Sequence, residues 1–438
     1  MTHYDLLIKG GTIVTPQSIS AGDIGILDGR IAEIGTIDEK NAKQVIRGEN
    51  LHILPGAIDT QVHFREPGLT HKEDLATGTK SAILGGVTSI FEMPNTIPLT
   101  LTRELLQQKL DLAAGRAYCD YAFFIGGSKE NADQLPQLEN MPGCPGVKIF
   151  MGSSTGSLLV EDDETLLKIL QNGKKRVAVH AEDEPRLRER RPLAETAGHP
   201  RAHPVWRDEE TAIRATTRLL AAARIAKRPV HVLHVTTAQE MDIFRQNRDL
   251  ATVEVTPQHL TLAAPECYER LGTFAQMNPP IRDQKHQDAL WKALQDGIVD
   301  MIGSDHAPHT TEEKHHTYPG SHSGMPGVQT LLPIMLHHMN AGKLSLARLV
   351  DLTAHNPARI YNVQNKGQIK IGYDADLVLV DLKRQSVIEN SKMAYKCGWT
   401  PFDGMKVTGW PIMTLLRGRV AMRDGTAMDP MGQMVNFA

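Results

Sequence analysis

Between residues 55 and 360 the sequence alternates short apolar runs with longer amphipathic stretches, and this alternation limits the fold more than any other feature. The apolar runs are Ile53–Asp59, Val87–Glu92, Asp120–Gly126, Gly146–Met151, Arg176–His180, Val230–Val235, Thr252–Val255 and Asp300–Ser304. Eight buried parallel strands that alternate with helices over about 300 residues are typical of a (β/α)8 TIM barrel. The sequence therefore predicts an α/β fold of this kind.

The amphipathic stretches between the runs are predicted to be helices. The clearest are Arg103–Ala114, Glu209–Ala226, Ala238–Arg248 and Lys285–Asp296. Thr237, with Glu240 three residues on, forms a capping box that begins one of them directly after the sixth run. A doubly wound sheet is the competing architecture, but it usually carries a glycine-rich phosphate loop, and neither GxGxxG nor GxxxxGKS occurs here.

The two ends of the chain resemble each other and differ from the middle, because both contain short strand-like runs. These are Asp5–Lys9, Gly11–Thr15, Gly22–Leu27, Arg30–Gly35, Gln368–Ile371, Asp376–Asp381, Met413–Leu416 and Arg419–Arg423. Asp28-Gly29 and Asp424-Gly425 are hairpin signals. Neither end has enough strands to bury a core alone, so we expect one small composite β-sandwich built from both.

This reading divides the chain into three parts. Residues 1–54 form the N-terminal part of the β-sandwich, residues 55–362 form the barrel, and residues 363–438 form the C-terminal part of the β-sandwich.

Composition excludes several classes of function. The 438 residues carry a formal net charge of −3, which gives no electrostatic footprint for nucleic acid or for an anionic membrane. No apolar run approaches the ~18 residues of a membrane span, and the first residues show no basic region of a signal peptide. The four cysteines are far apart and form no CxxC pair, so we expect a reducing, cytoplasmic environment.

Chemistry in a barrel sits at the carboxyl ends of the strands. Five such ends carry polar groups: His63, Lys148, His180, His234 and Asp305. Each residue alone has a structural explanation, since a strand-end histidine often only makes hydrogen bonds and an aspartate can cap a turn. A barrel brings all five together, however, and histidine and carboxylate are ligands for zinc and related divalent ions.

Lys148 is the unexpected member, because a buried ammonium would repel metal ions. Its presence is explained if the neutral amine has taken up carbon dioxide. The resulting carbamate is an anionic ligand with two oxygens that can bridge two ions.

Several segments match a known family. They are residues 56–74 (GAIDTQVHFREPGLTHKED), 92–96 (EMPNT), 146–156 (GVKIFMGSSTG), 177–183 (VAVHAED), 231–240 (HVLHVTTAQE), 277–282 (MNPPIR), 303–314 (GSDHAPHTTEEK) and 367–382 (GQIKIGYDADLVLVDL). They resemble the amidohydrolase superfamily, and within it the dihydroorotases of the cyclic-amidohydrolase branch. The resemblance covers nearly the whole chain and implies a barrel with a composite β-sandwich that opens or closes a ring amide.

The resemblance also implies roles for the strand-end residues. Lys148, His180 and His234 match the ligands of one zinc ion, and His63 and Asp305, again with the Lys148 carbamate, match those of a second. Metal binding lowers the pKa of water from 15.7 to about 7, which supplies the nucleophile. Asp305 matches the carboxylate that takes the proton and delivers it to the leaving nitrogen.

Substrate recognition is implied for a further set: Arg65, Asn95, Asn278 and His309, with backbone contacts from Ser323 and Gly324. Dihydroorotate carries an exocyclic carboxylate that hydantoins and allantoin lack, and arginine offers it a bidentate fork. Read alone, Arg65 could instead pair with Glu66 at the surface.

One position departs from the family pattern. The first-strand motif is usually His-x-His, whereas this chain has Gln61-Val62-His63. A glutamine oxygen binds transition metals weakly, so the second metal position should be weakened. The site could hold two ions, could work with one, or could be inactive.

Three functions remain open at this point. The first is dihydroorotase, which interconverts dihydroorotate and N-carbamoyl-L-aspartate in pyrimidine biosynthesis. The second is a hydantoinase- or allantoinase-type cyclic amidohydrolase. The third is an inactive dihydroorotase-like partner of aspartate transcarbamoylase. For each enzyme reading the partner is a small-molecule substrate, and we expect a homo-oligomer without nucleic-acid or membrane binding.

Overall fold

The computed structural model describes residues 3–153 and 158–438. Residues 1–2 and 154–157 lie outside this description, and so do the last three residues of the motif at 146–156. No helix in the described ranges is both long and apolar enough to cross a membrane.

The described residues form eighteen strands and fifteen α-helices. The strands are β1 (Tyr4–Val14), β2 (Ile19–Leu27), β3 (Arg30–Gly35), β4 (Ala42–Arg47), β5 (His52–Pro55), β6 (Ala57–Val62), β7 (Val87–Glu92), β8 (Asp120–Phe123), β9 (Ile125–Gly126), β10 (Val147–Phe150), β11 (Val177–His180), β12 (Val230–Val232), β13 (Ala251–Val255), β14 (Met301–Ile302), β15 (Leu377–Val387), β16 (Lys406–Leu416), β17 (Arg419–Arg423) and β18 (Thr426–Ala427). The helices are α1 (Leu75–Leu84), α2 (Arg103–Ala113), α3 (Leu135–Leu138), α4 (Asp163–Gln171), α5 (Glu184–Ala197), α6 (His203–Trp206), α7 (Glu209–Ala226), α8 (Ala238–Arg245), α9 (Pro257–Thr261), α10 (Glu266–Leu271), α11 (Gln284–Gln295), α12 (Thr311–Lys314), α13 (Leu331–Asn340), α14 (Leu346–Val350) and α15 (Asn356–Ile360).

Strands β6 to β14 build the barrel. They form a three-stranded and a six-stranded parallel sheet. Only Phe124 separates β8 from β9, so these two segments make up one stave. A parallel bridge between Val62 and His306 joins β6 to the segment that follows β14. The predicted (β/α)8 TIM barrel is confirmed.

The predicted helices are also present, as α2, α7, α8 and α11. Thr237 and Glu240 form the expected capping box at the start of α8, where each side chain satisfies a backbone N–H of the first turn. Helix α8 ends at Arg245, before the predicted end at Arg248.

The two ends of the chain combine in one nine-stranded sheet of order β18-β17-β16-β15-β5-β1-β2-β3, with β4 beside β1. Edge strand β3 returns to the segment before β15, because Ile31 N donates to Tyr373 O (2.9 Å) and Ala375 N donates to Gly29 O (2.9 Å). The sheet therefore folds over a shared apolar cluster that includes Ile24 and Leu377, and the predicted composite β-sandwich is confirmed. The boundaries at 54/55 and 362/363 stay a prediction.

Three local predictions need correction. Ile53–Asp59 is two strands, because the chain passes at Gly56 from the terminal sheet to the barrel. A Cβ at Gly56 would lie 2.2 Å from Thr88 Oγ1, so only glycine fits this crossing. The first two N-terminal runs are one strand, β1. Gln368–Ile371 is not a strand: turns at Gly367 and Gly372, both with positive φ, enclose it.

Candidate active site

One cavity of about 200 Å³ opens at the carboxyl ends of the barrel strands. Its lining is Gln61, His63, Arg65, Asn95, Lys148, Phe150, Ser153, His180, His234, Asn278, Asp305, Ala307, His309, Ser323 and Gly324. The structure thus brings together every side chain that the sequence proposed as a metal ligand or substrate contact. The roles of these residues stay predictions, whereas their proximity is observed.

Three of these residues have a left-handed backbone, which is unusual for residues other than glycine. The φ angles are 66° at Arg65, 38° at His234 and 42° at Asp305. Such conformations cost about 1–3 kcal/mol each and cluster at functional sites. Each of the three residues lies two or three positions after the end of a barrel strand, and its side chain lines the cavity.

His180 and His234 face each other across one side of the cavity, with His180 Nδ1 3.0 Å from His234 Nε2. The opposite nitrogen of His180, Nε2, lies 2.7 Å from Glu182 Oε2. A carboxylate only accepts, so Nε2 carries the proton and Nδ1 presents a lone pair to the cavity. Burial lowers the pKa of both histidines, which keeps the rings neutral and able to bind a metal.

Lys148 extends from β10 into the same side of the cavity and is fully buried. Its Nζ finds no hydrogen-bond partner among the described residues and lies 4.4 Å from the centre of the Phe150 ring. Burial lowers the pKa of Lys148 to about 7. A large share of the amine is therefore neutral and nucleophilic at neutral pH, as carbamate formation requires.

His63 and Asp305 form a second contact pair in the lining of the same cavity. His63 Nε2 is 3.2 Å from Asp305 Oδ1, and His63 Nδ1 is 2.7 Å from Asn95 Oδ1. Because the Asn95 oxygen accepts, Nδ1 carries the proton and Nε2 has the free lone pair. The Gln61 amide donates to Asp305 Oδ1 at 2.9 Å. Gln61 therefore contacts the carboxylate through nitrogen, and its oxygen has no partner in the described part of the chain.

Arg65 lies at the wall of the cavity and is 7% exposed. Its Nε donates to Pro308 O at 3.2 Å, and its Nη2 lies 3.3 Å from His309 Nε2. Glu66 pairs with Arg116 instead, at 2.9 Å, so the alternative of an Arg65–Glu66 surface pair is wrong. Burial lowers the pKa of Arg65 to about 10, which leaves the guanidinium charged at neutral pH.

The remaining predicted contacts come from the loops after β13 and β14. Asn278 Oδ1 lies 3.0 Å from His203 Nε2, which also lies 3.1 Å from Met277 O. His309 Nε2 lies 3.1 Å from the Ser323 carbonyl oxygen. These contacts hold both loops close to the cavity.

Two acids lie in the barrel interior beneath the cavity. Burial raises the pKa of Asp59 to about 7 and that of Glu254 to about 8. Thr60 Oγ1 donates to Glu254 Oε2 at 2.8 Å. At neutral pH a share of both acids is therefore neutral, which reduces the negative charge in the barrel interior.

Sequence reasoning missed four charged residues that support the site: Glu182, Arg207, Lys72 and Glu313. Arg207 Nε donates to Glu182 Oε1 at 3.0 Å and holds the carboxylate against His180. Three of the four lie within the motifs at 56–74, 177–183 and 303–314. For these three, the sequence feature that could have identified them is a charged residue that follows a strand-end histidine or arginine within the same motif.

The donor set fits divalent metal ions. Neutral imidazoles with lone pairs directed inward, a carboxylate, and a buried amine without a partner in the described residues are suited to such ions. Among the proposed ligands, Lys148 Nζ and His234 Nδ1 are buried polar atoms without a hydrogen-bond partner in the described residues, which is unfavourable unless a ligand contacts them.

A second group could hold a metal by distance alone. Ligand atoms of His309, Glu313 and His322 lie within 4.8 Å of one another. Lys72 Nζ, however, is 2.8 Å from Glu313 Oε1 and 3.1 Å from His309 Nδ1. An ammonium at that position repels a cation, so we do not assign a metal to this group.

A barrel with a composite β-domain, and a cavity at the strand ends lined by histidines and a carboxylate, are the features expected of a metal-dependent hydrolase. The amidohydrolase family model matches residues 52–421. The chain belongs to the amidohydrolase family, as its motifs predicted.

Individual dihydroorotases and a hydantoinase are similar to the chain over nearly their whole length. The chain is 36% identical to the dihydroorotase of Methanosarcina acetivorans, over 97% of this chain and 94% of the relative. It is 35% identical to the dihydroorotase of Pyrococcus abyssi, over 98% of each. Among solved structures, the L-hydantoinase (dihydropyrimidinase) of Arthrobacter aurescens superposes with a TM-score of 0.94 at 29% identity, over 99% of each chain.

Proposed function

We propose that this chain is a dihydroorotase, a hydrolase that acts on a cyclic amide and interconverts dihydroorotate and N-carbamoyl-L-aspartate in pyrimidine biosynthesis. The observation that carries the proposal is the position of Arg65. Its charged guanidinium lies in the wall of the same cavity that His63, His180 and Asp305 line. A ring substrate with its amide at those residues would place an exocyclic carboxylate at Arg65.

Zinc is the metal we propose, held in two positions. Lys148, His180 and His234 would hold one ion, and His63 and Asp305 with Lys148 would hold the other, which Gln61 weakens. A bound zinc ion polarises the amide carbonyl and makes water acidic enough to attack it. Carbamate formation on Lys148 would join its neutral Nζ to the carbon of carbon dioxide and release one N–H proton.

Asp305 is the proposed proton carrier. One of its carboxylate oxygens takes the proton of the attacking water and delivers it to the ring nitrogen as the C–N bond breaks. In the ring-closing direction the same carboxylate takes that proton from the ureido nitrogen. Hydrogen bonding from Gln61 orients Asp305 for this transfer.

Arg65 and His309 are proposed to bind the substrate carboxylate, and Asn95 and Asn278 to contact the carboxylate and the ring. This set favours dihydroorotate over a hydantoinase-type substrate, because hydantoin and allantoin have no carboxylate to balance the buried guanidinium. The hydantoinase-like overall structure is equally expected for either activity, since the two share one fold. We also propose a homo-oligomer, and association with aspartate transcarbamoylase remains the alternative for an inactive chain.

The test uses purified chain loaded with zinc and supplied with bicarbonate. We expect turnover of dihydroorotate, and of N-carbamoyl-L-aspartate in the reverse direction at mildly acidic pH. Turnover of hydantoin or allantoin without turnover of dihydroorotate would favour the second function. Absence of all three activities, together with binding to aspartate transcarbamoylase, would favour the inactive partner.

A further inference from the structure

Lys72 lies behind the cavity wall, where the proposed reaction gives it no role. It is 6% exposed and does not line the cavity. Its Nζ contacts two side chains, Glu313 Oε1 at 2.8 Å and His309 Nδ1 at 3.1 Å. Lys72 therefore contacts Nδ1 of His309, whereas the other ring nitrogen of His309, Nε2, lies beside Arg65.

These contacts determine which nitrogen of His309 carries the proton. A lysine ammonium can only donate, so Nδ1 must accept from Lys72. The Ser323 carbonyl, 3.1 Å from Nε2, can only accept, so Nε2 must donate. Both contacts require the neutral ring with its proton on Nε2.

Glu313 keeps Lys72 in position. Its second oxygen, Oε2, accepts from Thr310 N at 3.0 Å in the capping box of α12, which fixes the carboxylate at the start of that helix. Oε2 lies 3.6 Å from His309 Nδ1, too far for a hydrogen bond. Lys72 is thus the group that contacts Nδ1 directly.

The resulting arrangement is selective for an anion. Arg65 Nη2 and His309 Nε2 are 3.3 Å apart, and both are donors. Two donors this close repel each other unless they share an acceptor. One carboxylate with two oxygens can accept from both, with the Nε2 proton shared between the carboxylate and the Ser323 carbonyl.

We propose that Lys72, held by Glu313, is a positioning residue that keeps His309 in the Nε2–H tautomer, so that His309 and Arg65 bind the substrate carboxylate together. This inference rests on the proposed function for the identity of the anion. Without Lys72, a proton on Nδ1 could be donated to Glu313, and the bare Nε2 would then repel the substrate carboxylate.

The first test is the tautomer itself, measured in the full-length enzyme without substrate. Histidine labelled with ¹⁵N gives separate signals for protonated and bare ring nitrogens, and His309→Gln identifies the signals of His309. We expect protonated Nε2 and bare Nδ1 in the wild type and the reverse in Lys72→Met. Lys72→Arg, which keeps a donor, should retain the wild-type pattern.

The second test is kinetic. Lys72→Met should raise KM for dihydroorotate at least about tenfold, as expected for losing a charge-assisted contact, with a much smaller change in kcat. Lys72→Met/Glu313→Gln should recover part of the loss, because the glutamine amide can donate to Nδ1. Lys396→Met is the matched control, since it removes a lysine that pairs with Asp74 (2.9 Å) in the same segment and leaves His309 untouched.

The outcomes separate this inference from the function on which it rests. If the wild type is active but His309 carries its proton on Nδ1, the positioning role of Lys72 alone is overturned. An unchanged KM in Lys72→Met has the same consequence. A wild type that carries the Nε2–H tautomer but does not turn over dihydroorotate overturns the proposed function and the carboxylate role with it. If Lys72→Met fails to fold, the wild-type and Lys72→Arg spectra still decide the tautomer.

Discussion

The side-chain amide nitrogen of Gln61 lies 2.9 Å from Oδ1 of Asp305, the same oxygen that is 3.2 Å from Nε2 of His63. Gln61 therefore donates to a carboxylate oxygen that a metal beside His63 would also need. Compared with the usual His-x-His motif, we therefore expect Gln61 to weaken this position in two ways: it offers no imidazole ligand, and it places an N–H where a cation would approach.

Gln61→His should consequently tighten the second metal position. We expect the wild type to hold about one zinc ion per chain tightly and to take up a second only at raised zinc concentration, while Gln61→His holds two. Metal analysis after gel filtration, together with zinc titration, measures this difference. Two tightly held ions in the wild type would show that the glutamine does not weaken the site.

Lys148→Ala should remove most bound metal and most activity, because the proposed carbamate supplies oxygens to both positions. Short carboxylic acids should restore part of both by filling the space of the carbamate. Lys148→Met, which fills the space with an apolar chain, should show the same loss without rescue. Unchanged zinc content and turnover in Lys148→Ala would exclude the bridging role.

Glu182→Gln should weaken metal binding without emptying the cavity of ligands. Glu182 Oε2 accepts from His180 Nε2 at 2.7 Å and so keeps the Nδ1 lone pair directed inward. Glutamine keeps an acceptor oxygen but loses the charge, so the contact weakens; changing such a partner typically lowers metal affinity by about 10–100-fold. Competition with a chelator measures the change, and Glu184→Gln, two positions along and outside the cavity, is the control. Equal affinities for the two variants would argue against this orienting role.

Arg65→Met should raise KM for dihydroorotate steeply and leave zinc content unchanged. Loss of a charge-assisted contact to a carboxylate costs on the order of 2–4 kcal/mol. Arg116→Met offers a close control, because Arg116 pairs with the neighbouring Glu66 at 2.9 Å and does not line the cavity. Wild-type kinetics in Arg65→Met would rule out the carboxylate contact.

The sequence placed the five strand-end residues together for one reason: parallel strands of a barrel all end at the same rim. Residues as distant as His63 and Asp305 could therefore be placed together from their positions at strand ends alone. The substrate-contact residues were expected from the family resemblance instead. The passage of the chain at Gly56 from the terminal sheet to the barrel could not be predicted, because one continuous apolar run contributes strands to both sheets.

The contacts made by the residues around the site could not be predicted from the sequence, for a different physical reason. Lys72 and Glu313 meet through loops that no periodicity describes, and their contact depends on side-chain geometry. The direction of the Gln61 amide is of the same kind, since only the position of Asp305 decides whether nitrogen or oxygen faces it.

The most direct measurement compares two substrates that differ only in the carboxylate. Dihydroorotate and dihydrouracil share the ring and the amide, so the ratio of their kcat/KM values isolates the contribution of the carboxylate contacts, chiefly those of Arg65 and His309. For the zinc-loaded wild type we predict a preference for dihydroorotate of at least about a hundredfold, which corresponds to about 2.7 kcal/mol. A ratio near one, or a preference for dihydrouracil, would contradict the assignment of this site to dihydroorotate.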